Sequence, residues 1–526
     1  MRFAVRILPK AASPRRTCRP KSLSFRRLRA IAVVAGLCWA TTDQAVADVT
    51  LPNVFSNHMV LQRDQPNRVW GRAAAGEEVT VAIAGQSHST VADDKGDWKV
   101  TLEPLSIGKP LELVVKGKNE LRLEDVLVGE VWVCSGQSNM QWSINASSDA
   151  ELVKLAANTP EIRMINFPQV GTQEPIWSHD RQWMVCSPET VGGFSAVGYF
   201  FAQQLHQTLN VPIGMVNNAW GGSACEAWVN RDVLSATESM APLMSRWKVN
   251  EARFAELSSK AERTADEEKQ FNSMKGQMAG NSRPANIYNG VLKSHLGYGI
   301  RGAIWYQGES NASRAYQYRE LFPLMIQNWR DEWGQGDFPF YWVQLADFRS
   351  EVDAPAESDW AELREAQTMT MDRLPNTGEA VIIDIGEGKD IHPRNKLDVG
   401  KRLARWALAN QYGYKIAFQS PRYQSMEIDG NKAVLTFAHV GRGWRPFDVP
   451  TPIGFAIAGE DKKFVNASAK ILPDGRIEVT SAEVPNPVAV RYAWADNPIC
   501  NMFTSDDLPL TPFRTDDWPG KTVDSH

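Results

Sequence analysis

The chain is short of the patterns that metal and nucleotide chemistry require. Its 526 residues hold 6 cysteines and 8 histidines, with no C-x-x-C pair, no H-E-x-x-H helix and no Walker loop. Zinc cages and phosphate cradles therefore lack their usual ligands, and no cofactor or metal is expected. Long apolar runs are missing too: the stretch from Ala30 to Ala40 is about half of the roughly 20 residues a membrane-spanning helix needs. Basic charge is scarce beyond the start. The overall net charge is −4, but ten Lys/Arg and only one acid, Asp43, fall in residues 1–47, so the remainder carries 47 basic and 60 acidic residues, a net of −13. A surface of that sign repels phosphates, and nucleic acid is excluded as a partner.

Residues 1–47 read as a secretory signal peptide: a basic n-region, the short apolar run, then Ala45-Val46-Ala47 before Asp48 as an A-x-A cleavage pattern. Leu37, rather than a small residue, precedes Cys38, which argues against a lipid anchor there. The surroundings of Arg26-Arg27 match a twin-arginine signal poorly. The expectation is a secreted or periplasmic protein without stable membrane insertion. Four cysteines follow the leader, Cys134, Cys186, Cys225 and Cys500. Export permits disulfides, but spacing does not choose among three connectivities, and isolated buried thiols are the plainer reading.

What is present is ordinary globular usage, 43% hydrophobic and 22% charged, with length for about three domains. Residues 48–127 carry short β-rich runs (79–83, 98–102, 111–115) between turn residues, the mark of a small β-sandwich. Residues 128–414 alternate strands (131–134, 162–165, 213–216, 303–306, 340–343, 381–383) with helices (197–209, 316–333, 363–371, 395–412). That alternation implies an α/β domain, a mainly parallel sheet covered on both faces. Residues 236–278, rich in Glu, Lys, Ala and Met, read as an inserted helical hairpin, a solvated cover. Strands return over 415–526 (432–437, 454–457, 476–480, 488–493), a second β-rich module.

Four polar motifs fall beyond the C-terminal ends of four of these strands: Gly136-Gln137-Ser138-Asn139, Gly221-Gly222-Ser223, Gln307-Gly308-Glu309-Ser310-Asn311 and Asp390-Ile391-His392-Pro393. In open α/β sheets ligands bind at that edge. A Gly-Ser turn alone usually just makes a turn; four converging on one edge mean more. Their residue types suit acyl transfer. A serine hydroxyl needs a neighbouring base, and histidine is the usual one near neutral pH. A carboxylate orients the imidazole, while backbone N–H groups and an amide stabilise the oxyanion. Ser138, His392, Asp390, Gly222 and Gln307 supply each part.

These motifs, with Val131-Trp132-Val133-Cys134-Ser135 before the first and Trp220 and Trp305-Tyr306 before the next two, resemble the sialate O-acetylesterase-like carbohydrate esterases of the SGNH-hydrolase superfamily. The likeness extends from Leu51-Pro52-Asn53-Val54-Phe55 to Leu508-Pro509-Leu510-Thr511-Pro512-Phe513-Arg514. It implies a three-layer α/β/α catalytic domain with accessory β-sandwich modules, removing acetyl groups from sugars without a cofactor. By the same resemblance Ser138 is the nucleophile and His392 the base. Ser138 N–H, Gly222 (or Gly221) and Gln307 form the oxyanion hole. The superfamily's usual acid position holds Lys389, so Asp390 is the acid here, with Asp384 and then Glu387 as rivals.

Glu309 could tune His392, bind a sugar hydroxyl or satisfy a buried turn; Arg364 and Gln367, on a helix, could reach the cleft, with a structural bond as the better reading. Trp142, Trp220, Trp228 and Trp305 flank the motifs, and one or two are expected to stack on sugar. The substrate is an acetylated oligo- or polysaccharide. Many tryptophans and a charge of −13 lean the reading to neutral plant hemicellulose such as xylan or xyloglucan, with sialic acid as the alternative. A non-catalytic carbohydrate-binding protein on an esterase scaffold is the rival from another class. A lipase or thioesterase is disfavoured because no long apolar acyl-binding stretch is evident.

Overall fold

One long strand, Glu120–Gly136, organises the molecule. Its first half alternates exposed and half-buried residues, and from Val126 onward it is buried throughout. The first half pairs antiparallel with Leu111–Lys116, and its second half lies between Gly302–Tyr306 and Ile213–Asn217, both parallel to it. These are features of a computed structural model that describes residues 48–526. The leader on which the export reading rests lies outside the described residues. The boundary expected at 127/128 falls inside this strand. The N-terminal β layer is therefore continuous with the central sheet, and Ala47–His526 is one compact unit. Among the described residues no helix is long and apolar enough to cross a membrane.

The central sheet runs in the order Thr377–Ala380, Phe340–Val343, Gly302–Tyr306, Glu120–Gly136, Ile213–Asn217, Ile162–Asn166, all parallel, with the short Met184–Val185 antiparallel at the edge. Strands buried on both faces read as unbroken apolar runs, and side chains alternate between the faces. Val131, Val133, Ala303, Trp305 and Trp342 enter a core shared with the helix Ala315–Trp333. Trp132, Cys134, Ile304, Tyr306 and Tyr341 enter a second core with Ala196–Leu209 and Lys396–Asn410. Helices therefore cover both faces. Ser195, Ser358 and Asn395 cap three of them by accepting from backbone N–H groups.

One expected strand is corrected. The sheet ends with Thr377–Ala380, whose last ladder partner is Val343. Residues 381–383 leave the sheet: Val381 and Ile383 pack into the C-terminal module, and Ile382 into the central domain. An apolar run reads alike on a strand and on a buried connector. The C-terminal module consists of two antiparallel four-stranded sheets sharing that third core. The insertion is a hairpin of Ala241–Ser259 and Ala265–Met278, the second opened by a capping box of Thr264 and Glu267. Among the described residues the four cysteines are free thiols, three of them buried.

Candidate active site

Gly136 makes the turn on which the site depends. At φ 129° a side chain there would be strained, and a Cβ would stand 2.2 Å from the carbonyl oxygen of Tyr306. Released by that glycine, the chain starts the four-residue helix Ser138–Gln141 at the edge of the sheet. His392 lies on the loop before Lys396–Asn410, and its Nε2 is 2.8 Å from Ser138 Oγ. Two residues 254 positions apart thus share the hydrogen bond that a serine nucleophile and its base would need.

Of the three candidate acids, Asp390 alone reaches the imidazole. Its Oδ1 is 3.4 Å from His392 Nδ1 and accepts the His392 backbone N–H at 2.9 Å. Asp384 is bound by both oxygens to Arg402, at 2.6 and 2.7 Å. Glu387 is held by Arg394. Burial holds His392 below the ordinary imidazole value, with Asp390 opposing and Lys396 adding to the shift. The ring is therefore neutral, as a base must be, at neutral pH.

The Trp220–Ser223 loop crosses over Ser138: a Cβ on Gly221 would come within 3.3 Å of Ser138 Cβ. Gly221 N–H donates to Gln141 Oε1 at 2.8 Å, and Gly221 O accepts from Asn281 at 2.6 Å. Gly221 is therefore spent. The N–H groups of Ser138 and Gly222 have no acceptor among the described residues, so Gly222, unlike Gly221, keeps a free donor. Asn281 follows the inserted hairpin, so that insertion does more than cover: its end pins this loop.

Gln307 is corrected. It is fully buried, and its amide donates to Ser223 O and Asn311 Oδ1 while its Oε1 accepts from Tyr318. Both amide hydrogens are committed, leaving none for an oxyanion. Gln307→Ala is expected to strand these buried partners and lower stability by about 1–3 kcal/mol, read by denaturant unfolding. Its kcat should fall far less than the roughly 10²–10³ of a lost oxyanion donor.

Trp305 is corrected as well, while Trp142 takes a further role. Trp305 is fully buried, edge-on to Trp228 and Trp329, because its place on the strand points it into the core. Trp142 stacks on His392, with centroids 4.7 Å apart and planes at 13°, and its Nε1 donates to Ala146 O. It braces the imidazole. Trp220 is partly exposed beside Gly221 and keeps its candidacy as a sugar platform. Glu309 accepts from Asn139 Nδ2 at 2.7 Å, and its other oxygen is closed off from solvent, so it does not present a carboxylate to a sugar hydroxyl. Arg364 and Gln367 are structural: Arg364 donates to the carbonyls of Leu345, Ala346, Ala495 and Asp496, and Gln367 to those of Gln307 and Val343. Asn139 and Lys396 were not singled out by sequence reasoning. Their only signal is adjacency, one position after Ser138 and four after His392. A cavity of about 530 Å³ between the 352–357 loop and the C-terminal module includes none of these site residues.

The chain resembles known esterases over most of its length. The chain is 27% identical over 544 residues to the human sialate O-acetylesterase, covering 92% of this chain and 96% of that one. It is 29% identical to the mouse protein of the same name, covering 87% and 93%. The crystal structure of a carbohydrate acetylesterase from Xanthomonas citri is similar at a TM-score of 0.77 and 38% identity, covering 89% of this chain and all of that one. A serine–histidine pair at this sheet edge, in a chain with these relatives, defines a carboxylic ester hydrolase, a carbohydrate acetylesterase. The chain belongs to the family described as "SASA: Carbohydrate esterase, sialic acid-specific acetylesterase", whose model matches residues 128–259 and 278–409. The unmatched gap nearly coincides with the second helix of the inserted hairpin.

Proposed function

We propose that the protein is an exported O-acetylesterase that deacetylates glycans through an acyl-enzyme, on an SGNH-hydrolase domain flanked by accessory β-sandwich modules. The 2.8 Å contact between Ser138 Oγ and His392 Nε2 carries this reading. His392 takes the Ser138 proton as Oγ attacks the acetyl carbonyl, and Asp390 steadies the imidazolium that forms. The N–H groups of Ser138 and Gly222 receive the oxyanion. His392 then gives its proton to the departing sugar oxygen. It next activates a water that splits the acetyl-enzyme, releasing acetate and restoring Ser138.

The acetylated sugar follows from two lines of support. The family description and the relatives' names favour an O-acetylated sialic acid. The net −13 beyond the leader favours a neutral glycan, acetylated xylan or xyloglucan, by long-range repulsion of an anionic sugar. The tryptophan argument for hemicellulose is weaker than the sequence suggested, since Trp305 is in the core and Trp142 is stacked on His392. Acetate release measured across acetylated sialic acid, xylan, xyloglucan and pectin separates the readings. We expect the sialic acid ester to be turned over with the highest kcat/KM; a preference of tenfold or more for xylan or xyloglucan moves the assignment to hemicellulose. The leader's composition supports export, and the size of the secreted product, read by mass spectrometry, tests cleavage after Ala47.

A further inference from the structure

The site contains a buried cation that this mechanism leaves unused. Lys396, in the first turn of Lys396–Asn410, is fully buried. Its Nζ donates to Asn139 Oδ1 at 2.6 Å and lies 5.3 Å and 5.9 Å from the ring centroids of Tyr306 and Trp142. Asn139 follows Ser138 directly and spends its own amide on Glu309 Oε1 and Ile391 O, the carbonyl just before His392. Trp142 is the ring stacked on the imidazole. Two partners of one ammonium thus reach the reacting pair, one beside the nucleophile and one against the base. Packing does not explain a cation there. An ammonium is costly to desolvate, and the first turn of a helix is the end that disfavours positive charge.

We propose that Lys396 is a positioning residue for acyl transfer, an ammonium that holds Asn139 and Trp142 in place and keeps the His392 ring aligned with Ser138 and uncharged. This rests on the Ser138–His392 reading above. A positive charge near the imidazole opposes formation of imidazolium, the direction in which Lys396 acts on His392. Burial lowers the ammonium itself to about 7, against Glu309, Glu387 and Asp390, which favour its charge. A fall in pH favours the ammonium over the free amine, and the three carboxylates act in the same sense. The other groups facing this pair are few. Glu309 comes from the Glu309–Arg314 turn, Glu387 and Asp390 from the loop before the helix, and Tyr306 from the sheet. Arg394 is exposed and paired with Glu387.

The test is the pH profile of kcat/KM on p-nitrophenyl acetate for wild type, Lys396→Met and Lys396→Gln. Removing the charge lets His392 protonate more readily, so the acid limb should move to higher pH by about 0.5–1 unit in both variants. Gln still donates to Asn139, so Lys396→Gln should retain more of the plateau kcat than Lys396→Met. An unchanged acid limb in either folded variant overturns the proposal. If neither variant folds, NMR titration of His392 in the wild type decides, assigned against His392→Ala. A titration below about 6.5 with a second inflection from Lys396 supports it, and one at or above about 6.5 without that inflection overturns it. The ester is generic, so failure of the glycan reading leaves this test intact. Failure of the nucleophile assignment would instead appear as undiminished turnover in Ser138→Ala.

Discussion

Ser138→Ala should fold as the wild type does and lose turnover by about 10⁴–10⁶ in kcat. Among the described residues the hydroxyl hydrogen-bonds only to His392, so its removal leaves no buried partner stranded, and thermal unfolding should barely change. Burst kinetics on p-nitrophenyl acetate provide the second readout: the acetyl-enzyme burst should vanish along with steady-state turnover. Activity on acetyl esters surviving in a preparation free of wild-type enzyme would remove Ser138 from the mechanism.

The second large effect separates two carboxylates. Asp390→Asn should cut kcat by roughly 10²–10⁴, the upper end being that of a buried triad acid. Asp390 is about half exposed (52%) and 3.4 Å from the ring, so water screens part of its influence, and the loss should lie below that upper end. Asp384→Asn should leave kcat within a few-fold of wild type. Its cost should appear as stability, up to about 3–5 kcal/mol, because Arg402 then keeps a largely buried charge with no carboxylate. Steady-state kinetics and denaturant unfolding on both variants measure the two effects. The opposite ranking in two folded variants would transfer the acid role to Asp384.

The parallel sheet was legible because most of its strands are buried on both faces and read as largely apolar runs, whereas Thr377–Ala380, with its Thr, Gly and Glu, carries no such signal. The helices were legible to within a few residues, with Ser195, Ser358 and Asn395 acting as caps where they stand. The run at 381–383 misled because burial, rather than strand pairing, makes a segment apolar. The expected break at 127/128 misled because a composition change does not reveal that one strand continues through it.

By itself the sequence determined which residue types stand beyond the strand ends, and so the chemistry on offer: a serine, a histidine, nearby carboxylates and glycines. Only the tertiary structure decided which of them meet. Gln307 has the right group, yet its hydrogens are committed to Ser223 and Asn311. Trp142 and Trp305 are equally aromatic, yet one braces His392 and the other fills the core. Asp384 and Asp390 differ in the neighbour each faces, Arg402 or His392. The reason is physical. Residue type sets what a group can donate, accept or titrate, whereas hydrogen bonding is saturable and falls off within about an ångström. A group's role is therefore decided by the partner the fold places within reach, and in this site those partners lie as far as 254 and 257 positions away in the chain.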